Sequence, residues 1–163
     1  METNGQAAEN RRRIFFRHGY EEQGRKLRAV IDTSTLFKKY VDEEGSSELA
    51  DILDSITEII VAPTLLIEFY SIIERRLREK SLKVSDAKWV EKELLFDYSF
   101  FGIVEWNEHL QNESISLIRK HQLKALDSIQ LAAAKTAEPE LFITSDCRLE
   151  KSARKEMKKV VFI

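Results

Sequence analysis

Two hydrophobic periods run through the chain: short, wholly apolar runs, and longer stretches in which apolar residues recur every three or four positions. They predict buried strands and amphipathic helices respectively. Ala29-Val30-Ile31, closed by Asp32, predicts a strand, with a short helix from Thr35 to Tyr40 after it. Glu43-Glu44-Gly45-Ser46-Ser47 reads as a turn and cap, and Leu49, Ile52 and Leu53 mark a helix from Glu48 to Ser55. Glu58 to Ala62 predicts a second strand, stopped by Pro63. A helix is expected from Thr64 to Lys80, apolar in its first half apart from Glu68 and basic in its second.

Further along, Leu82 to Asp86 reads as a turn in which Ser85 caps a helix through Trp89, Val90, Leu94 and Leu95. Phe100 to Val104 predicts a third strand, and Asn107 caps a helix whose inner face is Leu110, Ile115, Leu117 and Ile118. The chain bends at His121-Gln122, and Leu126 opens a helix whose Ala132-Ala133-Ala134 lets a neighbour pack closely. Glu138-Pro139-Glu140 ends that helix, Leu141 to Thr144 makes a fourth strand, and a short helix through Leu149 and Ala153 leads to a last strand, Val160 to Ile163. Strands alternate with helices throughout. The expected fold class is therefore α/β, a central mostly parallel sheet flanked by helices in three layers.

Composition narrows the picture. With 163 residues, 43% of them hydrophobic, the chain can bury one good core, so one domain spanning residues 27–163 is expected. Residues 1–26 are polar, carry Arg11-Arg12-Arg13 before Ile14-Phe15-Phe16, and lack a core periodicity. They are expected to form a tail or a loosely docked extension. Charged residues make up 33% of the chain, yet the net charge is −2, which argues against a protein that holds nucleic acid by bulk positive charge. A lone cysteine, Cys147, excludes an internal disulfide, and the longest apolar runs are far too short to cross a membrane. A cytoplasmic protein is expected.

Acidic residues supply the candidate chemistry. Asp32 and Asp146 end two strands, and Glu68 and Asp127 lie in the opening turns of two helices. In an α/β sheet those positions share the carboxyl edge, where ligands bind. Each acid has an ordinary structural role open to it: Asp32 as a helix N-cap, Asp127 as a favourable charge at a helix start, Glu68 as a half-exposed helix residue. Together they would repel and raise one another's pKa unless cations intervened. A ligand set made only of carboxylates, with no His or Cys spaced for metal, suits Mg²⁺ or Mn²⁺.

Val30-Ile31-Asp32-Thr33-Ser34, Glu68 early in its helix, Leu126-Asp127-Ser128-Ile129-Gln130-Leu131-Ala132-Ala133-Ala134 and Ile143-Thr144-Ser145-Asp146-Cys147-Arg148-Leu149 resemble, in order and spacing, the motifs of PIN-domain ribonucleases. The similarity covers Leu27 to Ile163, and the style is most like the VapC-type toxins of toxin and antitoxin pairs. That resemblance implies a metal-dependent endoribonuclease, a homodimer and a cognate antitoxin protein. Asp32, Glu68, Asp127 and Asp146 match the four acids of the family site as catalytic and metal-binding residues. Lys124 stands where the family often has arginine, and Ser34, Thr144 and Ser145 would be supporting hydroxyls.

RNA would need basic residues beside these acids, for which Lys124, Arg148, Arg75 and Arg76 are candidates. Trp89 and Trp106 read as core or dimer-contact residues. Two other readings remain open: a PIN-fold ribonuclease of RNA maturation or decay, and a non-catalytic module binding RNA or protein. A phosphatase with Asp32 as nucleophile is disfavoured by Ser34, where a second aspartate is usual.

Overall fold

The computed structural model describes residues 27–163. The expected tail over residues 1–26 lies outside the described residues. In chain order the elements are β1 (Arg28–Ile31), α1 (Thr33–Phe37), α2 (Ser46–Leu53), β2 (Glu58–Val61), α3 (Leu65–Arg78), α4 (Val84–Tyr98) and β3 (Gly102–Ile103). There follow α5 (Glu108–His121), α6 (Ala125–Ala137), β4 (Leu141–Thr144), α7 (Cys147–Glu156) and β5 (Val160–Phe162). The five strands form one sheet in the order β3-β2-β1-β4-β5, and every neighbouring pair is parallel. The expected three-layer α/β architecture is what the chain adopts. From β1 the winding goes one way to β2 and β3 and the other way to β4 and β5, so the topological switch point lies between β1 and β4.

Both faces of this sheet are covered, which is why its strands read as continuous apolar runs rather than alternating ones. Ala29, Ile31, Ile59, Val61, Leu141 and Ile143 pack with Leu36, Phe37, Leu49, Leu65, Phe69, Ile73, Val90 and Leu94 from α1 to α4. On the other face Val30, Ile60, Phe142 and Val160 meet Leu110 and Leu117 of α5, Leu131 and Ala132 to Ala134 of α6, and Leu149 and Ala153 of α7. The alanines are fully buried, which lets α6 press against the sheet and sets its first turn at the sheet's carboxyl edge. Phe69 anchors the first face, tilted against Phe37 at 4.8 Å and edge-on to Tyr40 at 5.4 Å.

Several boundaries differ from expectation for local reasons. α1 starts at Thr33 rather than Thr35, because the Asp32 carbonyl already accepts from Leu36 N–H at 2.9 Å. α2 starts at Ser46 behind Gly45, whose φ of 85° needs a residue without Cβ. Ser85 caps nothing: α4 begins at Val84 after Lys83, and the Ser85 hydroxyl bonds to Asp86. β3 is shorter than Phe100 to Val104, because Phe100 and Phe101 are used to close the end of α4, donating to Asp97 and Tyr98 carbonyls. The inner face of α5 is Leu110, Ser114 and Leu117, while Ile115 and Ile118 are exposed. Trp89 packs partly against the core, and Trp106 is exposed.

A polar hub joins α5, α6 and α7. The Glu156 side chain, 6% exposed, accepts from Lys120 at 2.6 Å, His121 at 2.7 Å and Lys135 at 2.9 Å, and Lys135 also meets Glu113 at 2.5 Å. Burial pushes the Glu156 pKa up, but the hydrogen bonds from Lys120, Lys135 and His121 outweigh it and hold it down at about 2. A carboxylate held this low stabilises the fold fully above its ordinary pKa of 4.5 and loses that contribution as the pH falls towards 2. Glu156→Gln is therefore expected to melt several degrees below wild type at pH 7, with the gap closing in acid. Parallel melting curves at pH 7 and pH 3 check this, and a gap that fails to narrow would remove the hub from the stability account.

Candidate active site

Asp32 is placed by the sheet itself. Its N–H donates to the Ile143 carbonyl at 3.0 Å, carrying the β1–β4 ladder one residue past the strand and into the switch-point crevice. Although Asp32 stands at the N-cap position of α1, its carboxylate caps no backbone N–H. Oδ2 instead accepts from Ser34 at 2.6 Å and, more weakly, from Thr144 at 3.4 Å and Thr35 at 3.5 Å. The residue is only 6% exposed. Burial drives its pKa up to about 6; Ser34 and Thr144 act against that, and the charges of Asp127 and Asp146 add to it.

The other three acids converge on the same edge from different elements. Glu68 lies in the first turn of α3, where Oε1 accepts from Thr64 at 2.5 Å and from Gln130 at 2.8 Å. Its pKa is raised, first by burial, against the pull of those two hydrogen bonds, and further by Asp32 and Asp127. Asp127, in the first turn of α6, is half-buried and also raised, by burial and then Asp146, with Lys124 and Arg148 opposing. Asp146 is exposed and does cap a helix: its Oδ1 accepts from the N–H groups of Arg148 at 2.7 Å and Leu149 at 2.9 Å. The capping role and a place at the crevice coexist in one side chain, because a carboxylate has a second oxygen.

The carboxylate oxygens left without a donor decide what the site can do. Asp32 Oδ2, Glu68 Oε1 and Asp146 Oδ1 are held by protein donors; among the described residues Asp32 Oδ1, Glu68 Oε2, Asp146 Oδ2 and both oxygens of Asp127 receive none. Among the described residues, no three His, Cys, Asp or Glu side chains already form a closed metal-ligand group. The donors nevertheless fit a hard divalent cation such as Mg²⁺ or Mn²⁺: they are all oxygen, they are held on rigid elements, and such ions reach carboxylates partly through retained waters.

Hydroxyls and an amide support this arrangement. Thr35 Oγ1 lies 2.9 Å from Ser145 Oγ and accepts from Ser145 N–H at 2.7 Å, and Thr144 Oγ1 accepts from Asp146 N–H at 3.1 Å. Of the three hydroxyls expected to support the acids, Ser34 and Thr144 donate to Asp32, and Ser145 meets Thr35. Thr33, Thr35, Thr64 and Gln130 were not singled out from the sequence. The signal that could have found Gln130 is a glutamine in the otherwise apolar run Ile129 to Ala134, one turn after Asp127.

The basic candidates separate into two groups. Lys124 precedes α6 and Arg148 opens α7, both exposed and both acting on the Asp127 charge; Arg148 also donates to the Gln122 carbonyl at 2.8 Å. Arg76 is engaged elsewhere, paired with Glu43 at 2.6 Å and stacked over Phe37 at 4.6 Å, and exposed Arg75 stands two turns from Glu68.

Comparison with known proteins bears on this geometry. The family model of the PIN domain matches residues 29–155. A toxin–antitoxin complex from Klebsiella pneumoniae is similar in structure with a TM-score of 0.52 and 19% identity, covering 72% of this chain and 86% of that one. FitAcB from Neisseria gonorrhoeae aligns with a TM-score of 0.60 and 14% identity over 83% of this chain and 96% of that one. VapBC2 from Rickettsia felis, bound to a DNA fragment from its promoter, aligns at 0.57 and 10% identity over 84% and 98%. No curated protein matches the chain in sequence. At these identities the structures share the fold, and the family model adds the sequence pattern that runs from β1 through α7. The chain belongs to the PIN domain family.

Proposed function

We propose that this PIN-domain protein is a metal-dependent endoribonuclease, acting as the VapC-like toxin of a toxin–antitoxin pair. The observation that carries the reading is the convergence of Asp32, Glu68, Asp127 and Asp146 from four separate segments onto one sheet edge, each with an oxygen that receives no hydrogen bond among the described residues. Intact acids count against a module that only binds. Family membership supports a nuclease, and the toxin–antitoxin complexes among the structural neighbours support an antitoxin partner. A homodimer is part of the same reading. No helix among the described residues is long and apolar enough to cross a membrane.

Asp32, Asp127 and Asp146 would hold Mg²⁺ or Mn²⁺, with Glu68 as a further ligand or as the base that orients the attacking water. A bound divalent cation supplies Lewis-acid stabilisation of the phosphate and a lowered pKa for water. The chain's own contribution is positional. Ser34 and the strand-end backbone hold Asp32, Thr64 holds Glu68, and Lys124 and Arg148 offer charges for the RNA backbone beside Asp127.

Cleavage of a mixed RNA pool is expected with Mg²⁺ or Mn²⁺ and to stop in EDTA. Asp32→Asn and Asp127→Asn should each lower the rate by at least about 100-fold, beyond the 10- to 100-fold that supporting residues typically cost. Folded wild type that cuts nothing would favour a binding module, and mutants that cut normally would dismiss the carboxylate site. Lys124→Ala with Arg148→Ala should weaken RNA binding and lower its salt slope, whereas Arg76→Ala should cost stability and leave the slope alone. Binding isotherms at three salt concentrations separate the two.

Metal-free stability offers an independent check. Raising the Asp32 pKa from 3.8 to about 6 costs the fold about 3 kcal/mol at neutral pH. For an acid raised in this way the cost is complete above pH 6 and gone below 3.8. In EDTA, Asp32→Asn should therefore melt above wild type at pH 8, and the two should coincide at pH 4. A variant that melts lower at pH 8 would show that the charge is compensated within the protein.

A further inference from the structure

Gln130 is 1% exposed, on α6, one turn beyond Asp127. Its Nε2 donates to Glu68 Oε1 at 2.8 Å and to Thr33 Oγ1 at 2.7 Å. The Glu68 carboxylate accepts only, so the nitrogen must face it. That orientation leaves Gln130 Oε1 buried with no hydrogen-bond partner among the described residues. Buried amides are ordinarily bonded at both ends, and an apolar side chain of this length would fill the same space without leaving an orphan. The amide is thus arranged for its donors, and both reach residues at the carboxyl edge: Glu68, and the neighbour of Asp32.

We propose that Gln130 is a positioning residue for Glu68: with Thr64 it pins Oε1, leaves Oε2 as the oxygen open to a divalent cation, and ties α3 and α1 to the helix that carries Asp127. A neutral donor suits this task better than a basic one. Lysine or arginine in its place would pair with Glu68 and neutralise the charge that a cation requires, whereas an amide fixes the carboxylate and leaves its full charge in place. The proposal rests on the reading of the four acids as a cation site.

The test is Mn²⁺ binding to the full chain, followed by the electron paramagnetic resonance signal of the free ion, in wild type, Gln130→Met, Glu68→Ala and the double variant, with melting curves as the fold control. Gln130→Met should stay folded and bind Mn²⁺ about 10-fold more weakly, at the lower end of the range for residues that orient metal ligands. Glu68→Ala should lose at least as much, and the double variant no more than Glu68→Ala alone. With RNA, Gln130→Met should lower kcat and leave KM unchanged. Should Gln130→Met not fold, Gln130→Leu and Thr64→Val take its place, each again compared with and without Glu68→Ala. Unchanged Mn²⁺ affinity in folded Gln130→Met, or an equal loss when Glu68 is already absent, overturns the positioning role while leaving the cation site standing. If Glu68→Ala, Asp32→Asn and Asp127→Asn all bind Mn²⁺ as wild type does, the site reading itself falls.

Discussion

A carboxylate buried at the end of the central strand is the constraint on which the rest of this structure turns. Asp32 is fixed by a backbone hydrogen bond to β4 and largely buried at the end of its strand. It cannot relax outward as a surface acid would. Its surroundings are therefore arranged to tolerate a charge without cancelling it: hydroxyls of Ser34, Thr35 and Thr144 are neutral donors, and the charges of Asp127 and Asp146 that act on it are of like sign.

The same logic extends to the other acids. Glu68 is held by a hydroxyl and an amide, Asp146 by two backbone N–H groups, and among the described residues no arginine or lysine forms an ion pair with Glu68, Asp127 or Asp146. Lys124 and Arg148 lie at the outer rim, where they temper Asp127 and remain exposed. Charge is thus organised in two zones, an inner one that stays uncompensated and an outer one of opposite sign. An inner zone of this kind is unfavourable to folding by itself.

Stability comes from elsewhere in the molecule. Two apolar faces, one closed by α1 to α4 and the other by α5 to α7, bury the sheet, and ion pairs are concentrated away from the acidic edge. Glu156 joins α5, α6 and α7, while Lys39 and Tyr40 meet Asp97 and Arg76 meets Glu43 to bind the helices of the opposite face. Cations that compensate acids serve the scaffold. Among the described residues no ion pair joins the acids of the crevice.

Much of this was legible in the chain alone. Strand runs such as Ala29 to Ile31 and Leu141 to Thr144, the helix periods and the four acids are local patterns, and local hydrogen bonding and side-chain period are enough to produce them. Boundaries differed where a local bond that periodicity does not encode set the end: the Asp32 carbonyl starts α1 early, the Ser85 hydroxyl turns to Asp86 instead of capping, and the Phe100 N–H closes α4. The burial of Ile115 and Ile118 was misjudged because helical spacing allows more than one inner stripe, and only the packing of α5 on its neighbours selects Leu110, Ser114 and Leu117. Sequence by itself determined which residues carry charge and which elements present them. Tertiary structure alone decided that Gln130 faces Glu68, that Arg76 is taken by Glu43, and that hydroxyls from three residues gather on one oxygen of Asp32. Such choices depend on side chains brought together from residues as far apart as Thr33 and Gln130, and no period along a single segment encodes that meeting.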